Sequence, residues 1–185
     1  MADGDTIEYE GRHLLFGRKA NGWEYVSRRY ARGVVGVLGL DQRRQVLLVE
    51  QWRFPVGQSV FELPAGLAGD EPGREDEPLV TAAKREFLEE TGCEAAQWIS
   101  LGEGCTGAGM TDEKVTLFLA CGIQQIRDQS VYGMGRESIR VHRVPLPEVI
   151  PFLQDRQEEG ASIDFKIFAA LYLARQHPAF ESDIS

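Results

Sequence analysis

Apolar residues fall in short blocks broken by turn residues, and the period of each block predicts an element. Residues 7–30 read as β-structure. The runs at 13–16 and 23–26 flank Asn21-Gly22, a pair that favours a type I′ hairpin turn. Residues 33–40 and 45–50 are apolar runs of strand length, joined by the polar turn Asp41-Gln42-Arg43-Arg44. A further short strand at 60–63 is stopped by Pro64, and residues 66–76 form a loop rich in glycine, proline and acid. The pattern then changes period. From Pro78 to Thr91 the apolar positions Val80, Ala83 and Phe87 recur at helical spacing, with Pro78 suited to the first turn and Gly92 to the residue past the end. Strands are expected at 115–120 and 138–144, and helices at 147–154 and 165–175. Strands mixed with helices in this way predict an α/β or α+β sandwich.

The helix at 78–91 carries a second stripe. Glu86, Glu89 and Glu90 fall on one face, at i, i+3 and i+4, where like charges repel by a few tenths of a kcal/mol per pair. Such a cluster is either a solvated acidic face or a platform for divalent cations. Electrostatics alone leaves both open.

Composition narrows the setting. A chain of 185 residues, 43% hydrophobic and 26% charged, suits one compact domain with a small appendage. No apolar run is long enough to span a bilayer, and the N-terminus lacks the basic and apolar segments of a signal peptide. Cys93, Cys105 and Cys121 form an odd set without a C-x-x-C pair, which argues against a disulfide framework or a zinc site and for the reducing cytoplasm. The net charge of −9 disfavours nucleic acid as a partner. An anionic substrate would need local arginines or bound metal. His13, His142 and His177 are scattered without ligand spacing.

Glu77, seven intervening residues, and then Arg85-Glu86-Phe87-Leu88-Glu89-Glu90-Thr91-Gly92-Cys93 resemble most of the Nudix box, G-x5-E-x7-R-E-U-x-E-E-x-G-U. The resemblance implies a Nudix-type α/β/α sandwich with a mixed sheet at 33–185. A small β-arm at 1–32 would precede it, with the possibility of a swap in a homodimer. It also implies Mg²⁺ (or Mn²⁺) and hydrolysis of a diphosphate joined to another group. Glu86, Glu90 and the Ala65 carbonyl would then be metal ligands, with Glu89 next. Arg85 would orient a glutamate, and Glu77 would be a structural partner. One position departs: the box glycine should stand at residue 71, which is Glu71. The nearest suitable glycine is Gly66, so residues 67–76 read as carrying a five-residue insertion.

The flanks resemble the ADP-ribose and nucleoside diphosphate sugar pyrophosphatases. Glu50-Gln51-Trp52-Arg53-Phe54-Pro55 and Glu62-Leu63-Pro64-Ala65-Gly66 look like the segment before the box. Trp23, Glu24 and Arg28 look like base-recognition positions, and Arg53 like a contact to base or diphosphate. The structural alternatives are a core-packed Trp23 and an exposed Glu24–Arg28 pair. Gly107-Ala108-Gly109-Met110-Thr111-Asp112-Glu113 looks like a mobile catalytic loop whose Glu113 is the general base, with Asp112 second. Ala108 stands where ADP-ribose enzymes commonly have proline, which leaves GDP-mannose open as the substrate. The rival readings are a non-catalytic nucleotide sensor and an isoprenoid diphosphate isomerase using a cysteine.

Overall fold

The computed structural model describes residues 4–127 and 139–181. Two sheets account for the strands. A three-stranded antiparallel sheet holds β1 (Thr6–Glu10), β2 (Leu14–Arg18) and β3 (Glu24–Arg28). An eight-stranded mixed sheet holds β4 (Gly33–Leu40), β5 (Gln45–Arg53), β6 (Gln58–Glu62), β7 (Ala65–Ala68), β8 (Cys93–Cys105), β9 (Lys114–Gln125), β10 (Arg140–Pro145) and β11 (Ser162–Ile163). Its order is β11-β6-β5-β4-β9-β8, with β10 on β5 and β7 on β4. The β4–β9 and β11–β6 pairs are parallel and the others antiparallel.

The described residues form four helices, α1 (Leu79–Thr91), α2 (Val149–Glu158), α3 (Lys166–Ala174) and α4 (Pro178–Glu181), with a 3₁₀ turn at Leu146–Glu148. Among the described residues no helix is long and apolar enough to cross a membrane. The central strands are apolar on both faces, as a sheet covered on both sides requires. Leu38, Leu40, Leu48, Phe61 and Leu119 pack with Leu153, Ile167 and Leu171 of α2 and α3. Val35, Val37, Leu47 and Phe118 pack with Ala82, Ala83 and Phe87 of α1. The result is the expected α/β/α sandwich.

Several details depart from the sequence pattern. β8, thirteen residues long, was not anticipated, and neither was β7, which occupies the start of the assigned loop. The expected strand at 138–144 is β10, and its first residue lies outside the described residues. The Asn21-Gly22 turn is not type I′, because of the two only Gly22 (φ 88°) has positive φ. The turn closes instead through Gly22 N–H to Lys19 O at 2.8 Å. On α1 the buried stripe is Ala82, Ala83, Phe87 and Thr91. Val80 is 37% exposed, and Leu79 packs on the core in its place. Gly92 ends α1 as expected, with φ 69° and its N–H on Leu88 O at 2.9 Å.

Candidate active site

α1 sets its acidic face against β7, and one glycine makes the approach possible. A Cβ built on Gly66 would fall within the Glu86 carboxylate. Glu86 Oε1 accepts from Leu67 N–H at 3.2 Å and Arg85 Nη1 at 2.8 Å. One turn on, Glu90 Oε2 accepts from Ala65 N–H at 3.0 Å.

Arg85 is the hub. Its Nη2 donates to Leu67 O at 2.8 Å and to Glu77 Oε2 at 3.0 Å, and its Nη1 lies 3.4 Å from Glu89 Oε2. The 69–78 loop therefore returns Glu77 to the helix despite its length. Within that loop Glu71 lies 2.8 Å from Arg74, while Gly66, separated from Glu77 by ten residues, is the glycine the acidic face needs.

Arg53, at the end of β5, lies beside the cluster. It donates from Nε to Glu62 Oε2 at 2.8 Å, and Gln51 Nε2 donates to the same oxygen at 2.8 Å. Both Arg53 and Glu62 act electrostatically on Glu90. Glu62 is buried, and the sequence reading assigned it no role. Its signal was its place at the head of Glu62-Leu63-Pro64-Ala65-Gly66.

The charges do not balance. Glu62, Glu77, Glu86, Glu89 and Glu90 face Arg53 and Arg85, so five carboxyl groups share two guanidiniums. Arg74, 3.9 Å from Glu77, and Asp70, 4.0 Å from Arg85, cancel each other. Burial pushes Glu86 up to about 7 against the pull of Arg85, with Glu89 adding to the rise. Burial likewise pushes Glu90 up to about 8 against the Ala65 N–H, with Glu86 adding. Glu77 moves the other way, held low by its Arg85 hydrogen bonds. Burial works against the Arg85 charge, but Glu77 and Glu86 more than offset it and raise its pKa.

Uncompensated hard oxygen donors in a half-buried cleft fit a divalent cation. Among the described residues no three acidic, histidine or cysteine side chains already converge to cage one. Such an ion would complete its shell with waters and substrate oxygens, as magnesium commonly does.

The other expected residues lie elsewhere. Trp23 is 59% exposed rather than core-packed, and its Nε1 donates to Gly109 O at 3.2 Å. Glu24 is exposed beside it, facing Arg18 in the β2–β3 register. Arg28 pairs through Nε with Glu113. Ser27 Oγ donates to Asp112 Oδ2 at 2.9 Å. Neither Asp112 nor Glu113 is bonded to Glu86 or Glu90; both line a cleft of about 240 Å³ with Arg32 and Leu79, at the first turn of α1. Cys93 is buried, bonded to Gln125 and Arg143, while Cys105 is exposed.

Comparison with known proteins accords with this geometry. The NUDIX domain profile matches residues 28–166, about three quarters of the chain. The chain belongs to the NUDIX family. An ADP-ribose pyrophosphatase of Mycobacterium tuberculosis is 37% identical over 94 residues, covering 51% of this chain and 44% of its own. A methanol dehydrogenase activator of Bacillus methanolicus is 31% identical over 126 residues, 68% of this chain and 64% of its own. An ADP-ribose pyrophosphatase of Bacillus subtilis is 30% identical over 135 residues, 73% and 70%. The chain thus spans less than two thirds of the length of the first two relatives. The solved structure of an ADP compounds hydrolase superposes with a TM-score of 0.68 at 20% identity, covering 93% of this NUDIX chain and 90% of its own, a likeness of fold.

Proposed function

We propose that this NUDIX protein hydrolyses the diphosphate of a nucleoside diphosphate sugar, of the ADP-ribose type, to nucleoside monophosphate and sugar phosphate. The observation that carries the reading is the half-buried pair Glu86 and Glu90, packed against β7, where burial outweighs the pull of the neighbouring arginines. Two relatives named as ADP-ribose pyrophosphatases support the substrate class.

Glu86 and Glu90 would hold Mg²⁺, with Ala65 and Glu89 bordering them. A bound divalent cation there supplies charge neutralisation for the diphosphate oxygens and acidifies a coordinated water. Arg85 keeps Glu86 in place from one side, and Gly66 leaves room for it on the other. Arg53, anchored on Glu62, presents its remaining N–H groups to the substrate; a guanidinium fork suits phosphate oxygens. Glu113 takes the proton of the attacking water. The exposed rings and acids of the arm, Trp23 and Glu24, serve the base.

We also read residues 1–32 as an arm of a homodimer. The exposed Tyr9 and Leu14 support this, and light scattering tests it. Cys93, Cys105 and Cys121 form no disulfide among the described residues, which fits the cytoplasm.

The test is release of nucleoside monophosphate from ADP-ribose and GDP-mannose with Mg²⁺ or Mn²⁺. Turnover that fails in Glu90→Gln supports the reading. No turnover on either sugar, or metal-independent binding of ADP-ribose alone, overturns it in favour of a sensor. The isomerase alternative needs a reactive cysteine facing the site, and Cys93 is sealed between Gln125, Arg143 and the end of α1.

A further inference from the structure

The loop at 107–113 is held along one side. β3 and Trp23, the residue before it, run alongside it and touch it at successive points. Trp23 Nε1 donates to Gly109 O at 3.2 Å, and Val26 N–H donates to Met110 O at 2.8 Å, within a parallel bridge from Val26 to Thr111. Ser27 Oγ then holds Asp112 Oδ2 at 2.9 Å, and Arg28 Nε holds Glu113 Oε2. The spacing advances together along both segments, so a single placement of β3 sets the whole loop.

The loop itself has little to fix it. Its backbone turns on Gly107 O, which accepts from Met110 N–H at 2.8 Å and Thr111 N–H at 2.9 Å. Gly107, Ala108 and Gly109 bring no side chain large enough to anchor it. A base must lie within hydrogen-bond reach of the proton it takes, and a carboxylate on a small-residue turn would otherwise sample many directions.

We propose that β3 is the positioning element of this loop, with Arg28 and Ser27 orienting Glu113 and Asp112 rather than gripping substrate. The inference rests on Glu113 as the base under the proposed function. The Arg28–Glu113 pair is partly exposed, at 38% and 20% of the two side chains. Pairs of that kind stabilise a fold little, so its removal leaves the fold standing and makes the variants usable.

The experiment has two readouts. In steady-state kinetics, Arg28→Gln lowers kcat about 10- to 100-fold with KM within roughly threefold, because orientation of a base acts on the chemical step. Arg28→Lys, which keeps the charge, recovers most of that loss. In hydrogen exchange by mass spectrometry, residues 106–114 exchange faster in Arg28→Gln and in Ser27→Ala, while β5 is unchanged. A raised KM with unchanged kcat overturns the proposal and makes Arg28 a substrate contact. Unchanged exchange overturns it as well. Exchange needs no turnover, so it tests the clamp even if the proposed reaction fails. Full turnover in Glu113→Gln refutes Glu113 as base and, with it, the catalytic purpose of the clamp.

Discussion

Gly66→Ala isolates the contact on which the acidic face depends. Gly66 is not among the residues with positive φ, so alanine meets no backbone strain there. By chain entropy alone the change would stabilise the protein by about 0.4–1 kcal/mol. The new Cβ instead falls on Glu86 Cδ, Oε1 and Cγ, and the carboxylate must retreat by roughly 1.5 Å to reach the ~3.5 Å at which carbon atoms rest. Retreat breaks the Leu67 N–H bond and displaces the carboxylate from Arg85. Overpacking costs about 1–3 kcal/mol, and an orphaned N–H adds about 1–3 kcal/mol where no water replaces the acceptor. The net is a destabilisation of about 2 kcal/mol, or roughly 4–8 °C in Tm for a chain of this size.

The assay is denaturant unfolding of four proteins: the parent, Gly66→Ala, Glu86→Ala and the double variant. With no carboxylate to strike, the double variant recovers most of the loss, giving a coupling of about 1–2 kcal/mol. In the Mg²⁺ titration of activity, Gly66→Ala and Glu86→Ala both respond weakly, and the double variant is not rescued. Additive stabilities across the cycle, or a Gly66→Ala protein with the parent's Mg²⁺ response, would refute the reasoning.

Three more outcomes follow from the same geometry. Glu90 is raised from 4.5 to about 8, so its favourable contribution to the metal-free fold is complete below pH 4.5 and is lost as pH climbs through about 8. The upper bound on that loss is ~5 kcal/mol; Tm of the EDTA-treated protein should fall over this window, and the stabilisation gained by adding Mg²⁺ should grow with pH. Arg85→Lys cannot serve Glu77, Glu86 and Leu67 O at once, and kcat should drop at least about tenfold while circular dichroism stays that of the parent. Phe87→Ala removes a fully buried ring packed edge-on against Trp98 at 5.7 Å, and calorimetry should show a loss of about 3–5 kcal/mol.

Local chemistry was enough to determine α1. Helical spacing placed Glu86, Glu89 and Glu90 on one face, and Gly92 marked the end, because both effects act within a few residues. β4 and β5 were equally plain as continuous apolar runs. β8 was not. Its first residue follows the αL glycine directly, and a register shift between Ser100 and Gly102 breaks its alternation, so no period announces it. β7 looked like loop because three of its four residues lie in a Gly- and Pro-rich stretch, and only pairing with β4 makes it a strand.

The site divides in the same way. The carboxylates and Arg85 were legible because they share a helix. Gly66 was legible too, as the nearest glycine before the helix, but that Glu62 anchors Arg53 and that Arg28 meets Glu113 are pairings across 9 and 85 positions. Such contacts cost loop-closure entropy and leave no local pattern behind. They form only when the sheets bring the segments together. The sequence therefore determined which groups this NUDIX protein carries on α1, and the tertiary structure decided which charges they face.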